Sequence, residues 1–380
     1  MIVDVLRGFA LFGVLLGNFS SMLTNNVPEP MINAEATTFD QLLKQLHDIL
    51  IENKFMTLFS ILFGYGFGVI MQRLENKNIN ATPFFLRRMF WLFVFGCLNL
   101  ALWNGDILHI YAMTGVFLLL FRKQTDRFIL LSSVFFLFLL PFGIRLYQYF
   151  ILQYTADYKA IVKGYYNAYK FGTLTQVAIT NYKTYPYEWI FNWVEWRDMS
   201  ETLGRFLLGY WILRKQLLSR LSDNIRFIKK VWQWSVPLAA VYISFLILLD
   251  RHLISLPRFI QYPIIKGGIL LMAVFYASSL VILYHRGLVK RLMNLFRHLG
   301  RMTLTNYLVQ TILYVIIFYH AGFSLLGEFS FAVIWTASII VYFLQAVLSK
   351  WWLSKFYYGP VEWIWRQLTY RKNFPIIRKA

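Results

Sequence analysis

Ten apolar stretches, each near the length a helix needs to cross a bilayer, alternate with charged connections, and Lys and Arg collect in every second connection. A helix takes about 20 residues to cross the ~30 Å hydrocarbon layer. The stretches run over 5–23, 53–72, 86–103, 106–121, 128–152, 198–213, 232–250, 263–284, 302–320 and 329–349. With 58% hydrophobic residues in a chain of 380, a soluble core could not enclose the apolar surplus. Backbone groups in lipid must be bonded within their own segment, so the expected fold is all-α, a polytopic transmembrane bundle of about ten spans.

The basic connections carry Arg73, Lys77, Arg87 and Arg88, then Arg122, Lys123 and Arg127, then 214–230 and 285–301, followed by a basic tail from Lys350. The connections between them, at 24–46, 104–105, 251–262 and 321–328, are short or poor in Lys and Arg. The positive-inside rule therefore puts both termini in the cytoplasm. One membrane domain over 1–380 is expected, with an extracytoplasmic amphipathic segment at 153–197 and a cytoplasmic interfacial tail at 350–380. The net charge of +20 sits mostly beside span ends, where an anionic leaflet accounts for it, so no nucleic-acid partner is expected.

Cys97 is the only cysteine, which leaves neither a disulfide framework nor a thiolate metal site, and no metal is expected. The apolar run from Phe9 continues as a full span without a small-residue cleavage site, so the first span is expected to act as its own targeting signal. The 153–197 segment is rich in Tyr and Trp (Tyr154, Tyr158, Tyr165, Tyr166, Tyr169, Tyr182, Tyr185, Tyr187, Trp189, Trp193, Trp196). It reads as helices along the outer interface, either a plain aromatic belt or a lid over an acceptor site.

Chemistry enters with ionisable and polar groups inside apolar stretches, which are costly in lipid and tend to mark function. Asp4 and Arg7 share a helical face in DVLRGFALFGVLLGNF, with Asn18 three turns on. KFMTLFSILFGYGFGVIMQR carries Gly64, Gly66 and Gly68, which let a neighbouring helix approach. In WNGDILHIYAMTG, Asp106 either caps a helix or orients His109 as a base. Thr305, Asn306 and Gln310 need interhelical or substrate partners. In GPVEWIWRQLTY, Glu362 and Arg366 stand at i and i+4, the order that favours an ion pair.

The topology sorts the six histidines. His285 and His298 fall in a cytoplasmic loop, whereas His47, His109, His252 and His320 fall at the outer surface, where a base for an outside acceptor belongs. The candidates carried forward are His47 (followed by Asp48), His109 with Asp106, and His320.

Six blocks in order, DVLRGFALFGVLLGN, KFMTLFSILFGYGF, WNGDILHIYA, FLLGYW, GRMTLTNYLVQT and GPVEWIWRQLTY, resemble the YeiB family of bacterial membrane proteins with the domain of unknown function 418. The resemblance covers essentially the whole chain and implies a multi-pass protein of the bacterial cell membrane. That family is similar to a wider set of membrane acyltransferases, which move an acyl group from cytoplasmic acyl-CoA to an acceptor on the far side. There a first-span Arg helps the donor bind, and Arg7 matches it. The O-acyltransferase branch has its His where this chain has Asn18, while the acetyltransferase branch points toward the region of His47. Relatives carry a His before GDIL, where this chain has Leu98 and Asn99.

The expectation is an acyltransferase with acyl-CoA as co-substrate and an acceptor of unspecified chemistry. Asp4, Arg7, Asn18, Arg301, Asn306 and Arg366 are the donor-binding candidates. The other readings are an exporter of a small anionic or lipidic solute and a non-catalytic membrane partner. Besides the bilayer, a second copy of the chain is the remaining candidate partner.

Overall fold

The structure, a computed structural model, describes residues 2–28, 37–152, 158–190 and 194–378. Helix α1 is Ile2–Asn26, α2 Thr38–Leu50, α3 Lys54–Glu75, α4 Ala81–Leu102 and α5 Leu108–Phe121. Next come α6 (Asp126–Val134) and α7 (Leu140–Tyr147), joined by a π-helical turn at Phe135–Leu139, then α8 (Tyr158–Phe171), α9 (Leu174–Ile190) and α10 (Val194–Arg214). The chain continues through α11 (Leu221–Asp250), α12 (Arg258–His285), α13 (Lys290–Arg301), α14 (Thr303–Phe318), α15 (Phe331–Lys355) and α16 (Pro360–Tyr370). Among the described residues the only β pairing is one isolated bridge, Phe356 to Ile377.

Among the described residues seven helical stretches, two of them joining α2 with α3 and α6 with α7, are long and apolar enough to cross a membrane, and an eighth forms if α13 and α14, bent by 81°, make one span. The chain is a multi-pass membrane protein built as an all-α bundle.

Three of the ten expected spans differ. The stretch at 106–121 holds a helix of only 14 residues, about 21 Å long, because Trp103–Ile107 is a non-helical connection, anchored by the buried Trp103 and Asp106. The stretch at 198–213 belongs to α10, whose Glu195, Arg197, Asp198, Glu201 and Arg205 remove it from the apolar class. The stretch at 302–320 is broken from α13 at Met302.

Close helix crossings fix the centre. A Cβ on Gly8 would fall 1.9 Å from Phe296 O, and one on Gly300 would fall 1.8 Å from Asp4 O, so α1 and α13 touch backbone to backbone. Gly64 and Gly209 do the same for α3 and α10, with Cβ positions 1.9 Å from Phe206 O and 1.8 Å from Ile61 O. In lipid, where burial supplies no hydrophobic gain, such small-residue contacts give the packing its energy. The basic 285–301 connection is itself largely helical. Its face of Met293, Phe296 and Leu299 is buried.

Hydrogen bonds show which connections share an end. Tyr210 donates to Arg122 O, Tyr65 and Ser219 hydroxyls meet at 2.8 Å, and Arg87 and Trp365 tie α4 to α16. The basic connections and the tail therefore gather at one end. At the opposite end Gln45 bonds Asp250, Asp40 caps α15 through Ala332 N, and Lys170 pairs with Glu328.

Helices α8 and α9 close that opposite end. Tyr169 is fully buried and donates to Asn181, which in turn bonds Leu100 O and Ala101 O at the end of α4. The Tyr169 hydroxyl also accepts from Asn104 N, and burial pushes its pKa above the usual phenol range. This segment is a packed cover over the bundle end. Tyr154, Trp193 and the side chains of Tyr158, Tyr185, Tyr187 and Trp189 lie outside the described residues.

Candidate functional site

Helical spacing places Arg7 Nη1 3.5 Å from Asp4 Oδ1, with about a third of each side chain open. The guanidinium lies against Gly66 of α3, where an added Cβ would stand 2.7 Å from Nη2. Both residues line a cavity of about 950 Å³, at the upper end of the ~300–1,000 Å³ typical of small-molecule sites.

The mouth is built from the basic end of the bundle. Five guanidinium groups line the cavity, from Arg7, Arg73, Arg88, Arg301 and Arg366, against the carboxylates of Asp4 and Glu362. Arg301 is held by Tyr357 O at 3.1 Å. Arg88 stacks on Trp365, 3.5 Å from the ring centre, and Trp365 Nε1 donates back to Arg88 O. Arg366 sits among the rings of Tyr358, Tyr370 and Phe374 at 4.9, 5.0 and 4.7 Å.

Glu362 does not pair with Arg366 as the i, i+4 spacing predicts. Its carboxylate accepts from Leu304 N (2.7 Å), Thr305 N (3.0 Å) and Thr305 Oγ1 (2.5 Å), capping the broken start of α14. A helix N-terminus leaves its first N–H groups without intrahelical acceptors, and a carboxylate is the best partner for them. Burial nevertheless raises the Glu362 pKa, with these hydrogen bonds opposing the shift.

From Asp4 to Val14, both lining the cavity, is ten residues of α1, a depth of about 15 Å. The inner end is apolar and aromatic, with Leu11, Val14, Phe59, Phe63, Leu108 and Tyr111. Tyr111 shares a 2.5 Å hydrogen bond with Ser60. The cavity thus has a cationic mouth and a greasy end, a shape for an anion with an apolar arm.

Behind that end lies a buried His–Asp pair. His109 Nδ1 is 2.8 Å from Asp106 Oδ2, and both residues are 2% exposed. Asp106 also accepts from His109 N (3.2 Å), Asn99 Nδ2 (2.7 Å) and the Tyr307 hydroxyl (3.3 Å). It therefore both caps α5 and orients the imidazole. Ile107, Leu108 and Tyr307 line the cavity, so the pair stands directly behind its wall.

The remaining sequence candidates fall elsewhere. His47 is buried edge-on to Phe331, and its Nδ1 has no hydrogen-bond partner among the described residues. Asp48 does not orient it, since adjacent helical residues do not face each other. His320 is exposed at the opposite end, its N–H bonded to Tyr169 O. Asn18 lines no part of the cavity. Asn306 and Gln310 form a ladder with α15 instead, Asn306 to Ser349 at 3.0 Å and Gln310 to Gln345 at 3.0 Å. In the sequence Arg88 stands only as part of a basic connection and Asn99 only where relatives carry a His, and Tyr307 carries no local signal of its own beyond its helical face. Tyr307 was open to detection, because Thr303, Leu304 and Tyr307 share one helical face and Asn306 and Gln310 another.

No group of three or more His, Cys, Asp or Glu arranged to hold a metal occurs among the described residues. A family described as protein of unknown function (DUF418) matches residues 212–372, which include Arg301, Glu362 and Arg366. The chain is 31% identical to the uncharacterized protein YxaH of Bacillus subtilis (strain 168), over 100% of this chain and 96% of that one. It is 28% identical to an uncharacterized 39.9 kDa protein in the amylase 3′ region of Bacillus acidopullulyticus, covering 99% and 95% of the two chains. With the uncharacterized protein YeiB of Escherichia coli (strain K12), identity is 27% over 100% and 98%. No solved structure matches the chain.

Proposed function

The chain belongs to the DUF418 family of YeiB-like membrane proteins, and from that premise we propose that it is a membrane-bound acyltransferase of the bacterial cell membrane. In this reading it takes an acyl group from cytoplasmic acyl-CoA and passes it to a hydroxyl or amine acceptor reached from the outer side. The observation that carries the reading is the 950 Å³ cavity, arginine-rich where it opens and apolar where it meets the wall over Asp106 and His109.

The donor's phosphates sit among Arg7, Arg88, Arg301 and Arg366, where bidentate guanidinium bonds suit phosphoryl oxygens. Its thioester arm runs along α1 toward Tyr111. The acceptor oxygen or nitrogen attacks the thioester carbonyl carbon as His109 Nε2 takes its proton. Asp106 holds the ring through Nδ1–H and stabilises the imidazolium. The C–S bond then breaks, and the same proton leaves with the CoA thiol. The Tyr111 hydroxyl lines the inner end of the cavity and, on turning from Ser60, donates to the developing oxyanion.

One observation favours a transporter of an anionic solute instead. The α13–α14 break puts a half-helix start at the cavity, as the discontinuous helices of secondary transporters do. A single assay separates the readings. Purified protein is given acetyl-CoA labelled in the acetyl group and a set of small acceptors, and the same protein in vesicles is tested for counterflow. Label moved covalently onto an acceptor, and lost with His109→Ala, supports the transferase. Counterflow without covalent transfer sinks it, and neither outcome leaves the non-catalytic membrane partner.

A further inference from the structure

A second concentration of charge lies on the outside of the basic end, where α13, the end of α15 and the tail meet. Arg297, His298 and Arg301 stand three and four residues apart on one side of α13, turned away from the buried Met293, Phe296 and Leu299. Lys350 of α15 lies within electrostatic reach of His298, and Arg378 of the tail within reach of Arg301. The one carboxylate among their strongest neighbours is Asp4, itself paired with Arg7. Four permanent cations, Arg297, Arg301, Lys350 and Arg378, therefore stand together in excess.

The cluster is held in place. Arg301 Nη2 donates to Tyr357 O at 3.1 Å, and Arg378 Nε donates to Phe356 O at 3.2 Å. Arg378 N donates to Lys355 O and Tyr357 N to Ile376 O, so the tail is bonded along the end of α15. Arg378 also lies over the Tyr357 ring at 5.6 Å. Cations that only set topology can spread into water on their long stems, whereas these two are seated on backbone and their repulsion is built in. Alongside, α15 presents Leu344, Val347, Leu348 and Trp351 at helical spacing, each more than half exposed. Trp351, with Lys355 4.9 Å from its ring, marks the headgroup level.

We propose that α13, the end of α15 and the tail form a binding site for one anionic phospholipid in the leaflet at the basic end. Its phosphate is held by Arg297, Lys350 and Arg378, and an acyl chain lies along Leu344, Val347 and Leu348. Guanidinium groups suit phosphoryl oxygens, and basic pockets between helices at this level take anionic headgroups. A zwitterionic headgroup brings its own ammonium and leaves the excess unbalanced. A soluble phosphate balances it but lacks the chain that the α15 stripe holds. Arg301 stands between this site and the large cavity, which it also lines, so the lipid flanks the cavity mouth. The inference stands apart from the acyltransferase reading and survives its failure.

The test uses the full chain purified in detergent, with thermal unfolding followed at fixed ionic strength as dimyristoyl phosphatidylglycerol or dimyristoyl phosphatidylcholine is added. The two lipids share their chains and differ in headgroup charge. Phosphatidylglycerol should raise the midpoint saturably, and neither phosphatidylcholine nor glycerol 3-phosphate at equal concentration should do so. Arg378→Gln also loosens the tail, so Lys350→Gln, at an exposed position, carries the comparison. It should raise the half-saturating phosphatidylglycerol concentration about tenfold, the worth of one charge-assisted bond. A chain with Lys229→Gln and Lys230→Gln, both exposed on α11, should keep the wild-type value and so separates a seated lipid from diffuse attraction to the leaflet. Equal midpoints in the two lipids, a full rise with glycerol 3-phosphate alone, an unchanged Lys350→Gln, or an equal loss in the α11 variant would overturn the proposal.

Discussion

The Arg7 guanidinium rests on the bare α-carbon of Gly66, and a Cβ there would come within 2.7 Å of Nη2. The atom displaced is the far end of a flexible side chain, so Gly66→Ala should be nearly neutral for folding. Helix propensity favours it by about 0.5–1 kcal/mol. The cost should fall on the ligand instead, since the guanidinium must swing off its position in the cavity. Calorimetric titration with acetyl-CoA should show affinity reduced roughly tenfold in Gly66→Ala and lost in Arg7→Ala, one or two charge-assisted bonds at about 1.5–3 kcal/mol each. Unchanged affinity in both variants would mean that the cation serves no donor.

The Asp106 hub should divide stability from chemistry. Asp106→Ala strands the donors of Asn99, Tyr307 and His109 in a site 2% exposed. Unfolding should be easier by about 3–5 kcal/mol. Tyr307→Phe removes two long hydrogen bonds, one donated to Asp106 at 3.3 Å and one accepted from Ile107 N at 3.4 Å, and should cost about 1–2 kcal/mol. Thermal melts in detergent give the order, and a Tyr307→Phe loss equal to that of Asp106→Ala would contradict the hub.

What the sequence disclosed and what it hid follow one rule: patterns within a helix are legible, and pairings between helices are not. The apolar stretch at 53–72 became α3, and that at 329–349 became α15, because one residue face after another must be apolar to meet lipid or a neighbour. Asp4 with Arg7 and Asp106 with His109 lie three residues apart and could be read from helical spacing alone. Glu362 went the other way. Its partner is the start of α14, 57 and 58 positions away, and no local spacing announces a capping carboxylate donated by a distant helix. Tyr307 reaches Asp106 across 201 positions. The stretch at 198–213 reads as a span although it holds Glu201 and Arg205, whereas the fold uses Glu201 to gather Arg205 and Lys266.

The backbone contact of α1 with α13 should be the least forgiving point near the mouth. A Cβ on Gly300 meets Asp4 O at 1.8 Å, a rigid atom that cannot move aside as a side-chain tip can. Gly300→Ala should therefore lower stability by about 1–3 kcal/mol and weaken acetyl-CoA binding, because the α1 backbone carries Asp4 and Arg7. Gly17 on the same helix has nothing within 4 Å of its Cβ position, so Gly17→Ala should leave the melt unchanged or raise it slightly. Equal melts for the two variants would deny the close crossing.

Glu362 lies outside the spans, and burial holds its pKa above the ordinary value of 4.5. A carboxyl whose folded pKa is raised binds its proton more readily in the folded chain than in the unfolded one. Its contribution is therefore fully present below the unfolded value and declines as pH rises through the folded value. Across a pH range that starts below that ordinary value and rises, wild type should lose midpoint relative to Glu362→Gln as the wild-type carboxyl ionises and the amide does not. The amide oxygen still accepts from Leu304 N and Thr305 N, so the variant should fold at both ends of the range. A wild-type midpoint that climbs against Glu362→Gln with rising pH would mean that the capping bonds outweigh burial, and that the ionised carboxylate is the form the α14 start selects.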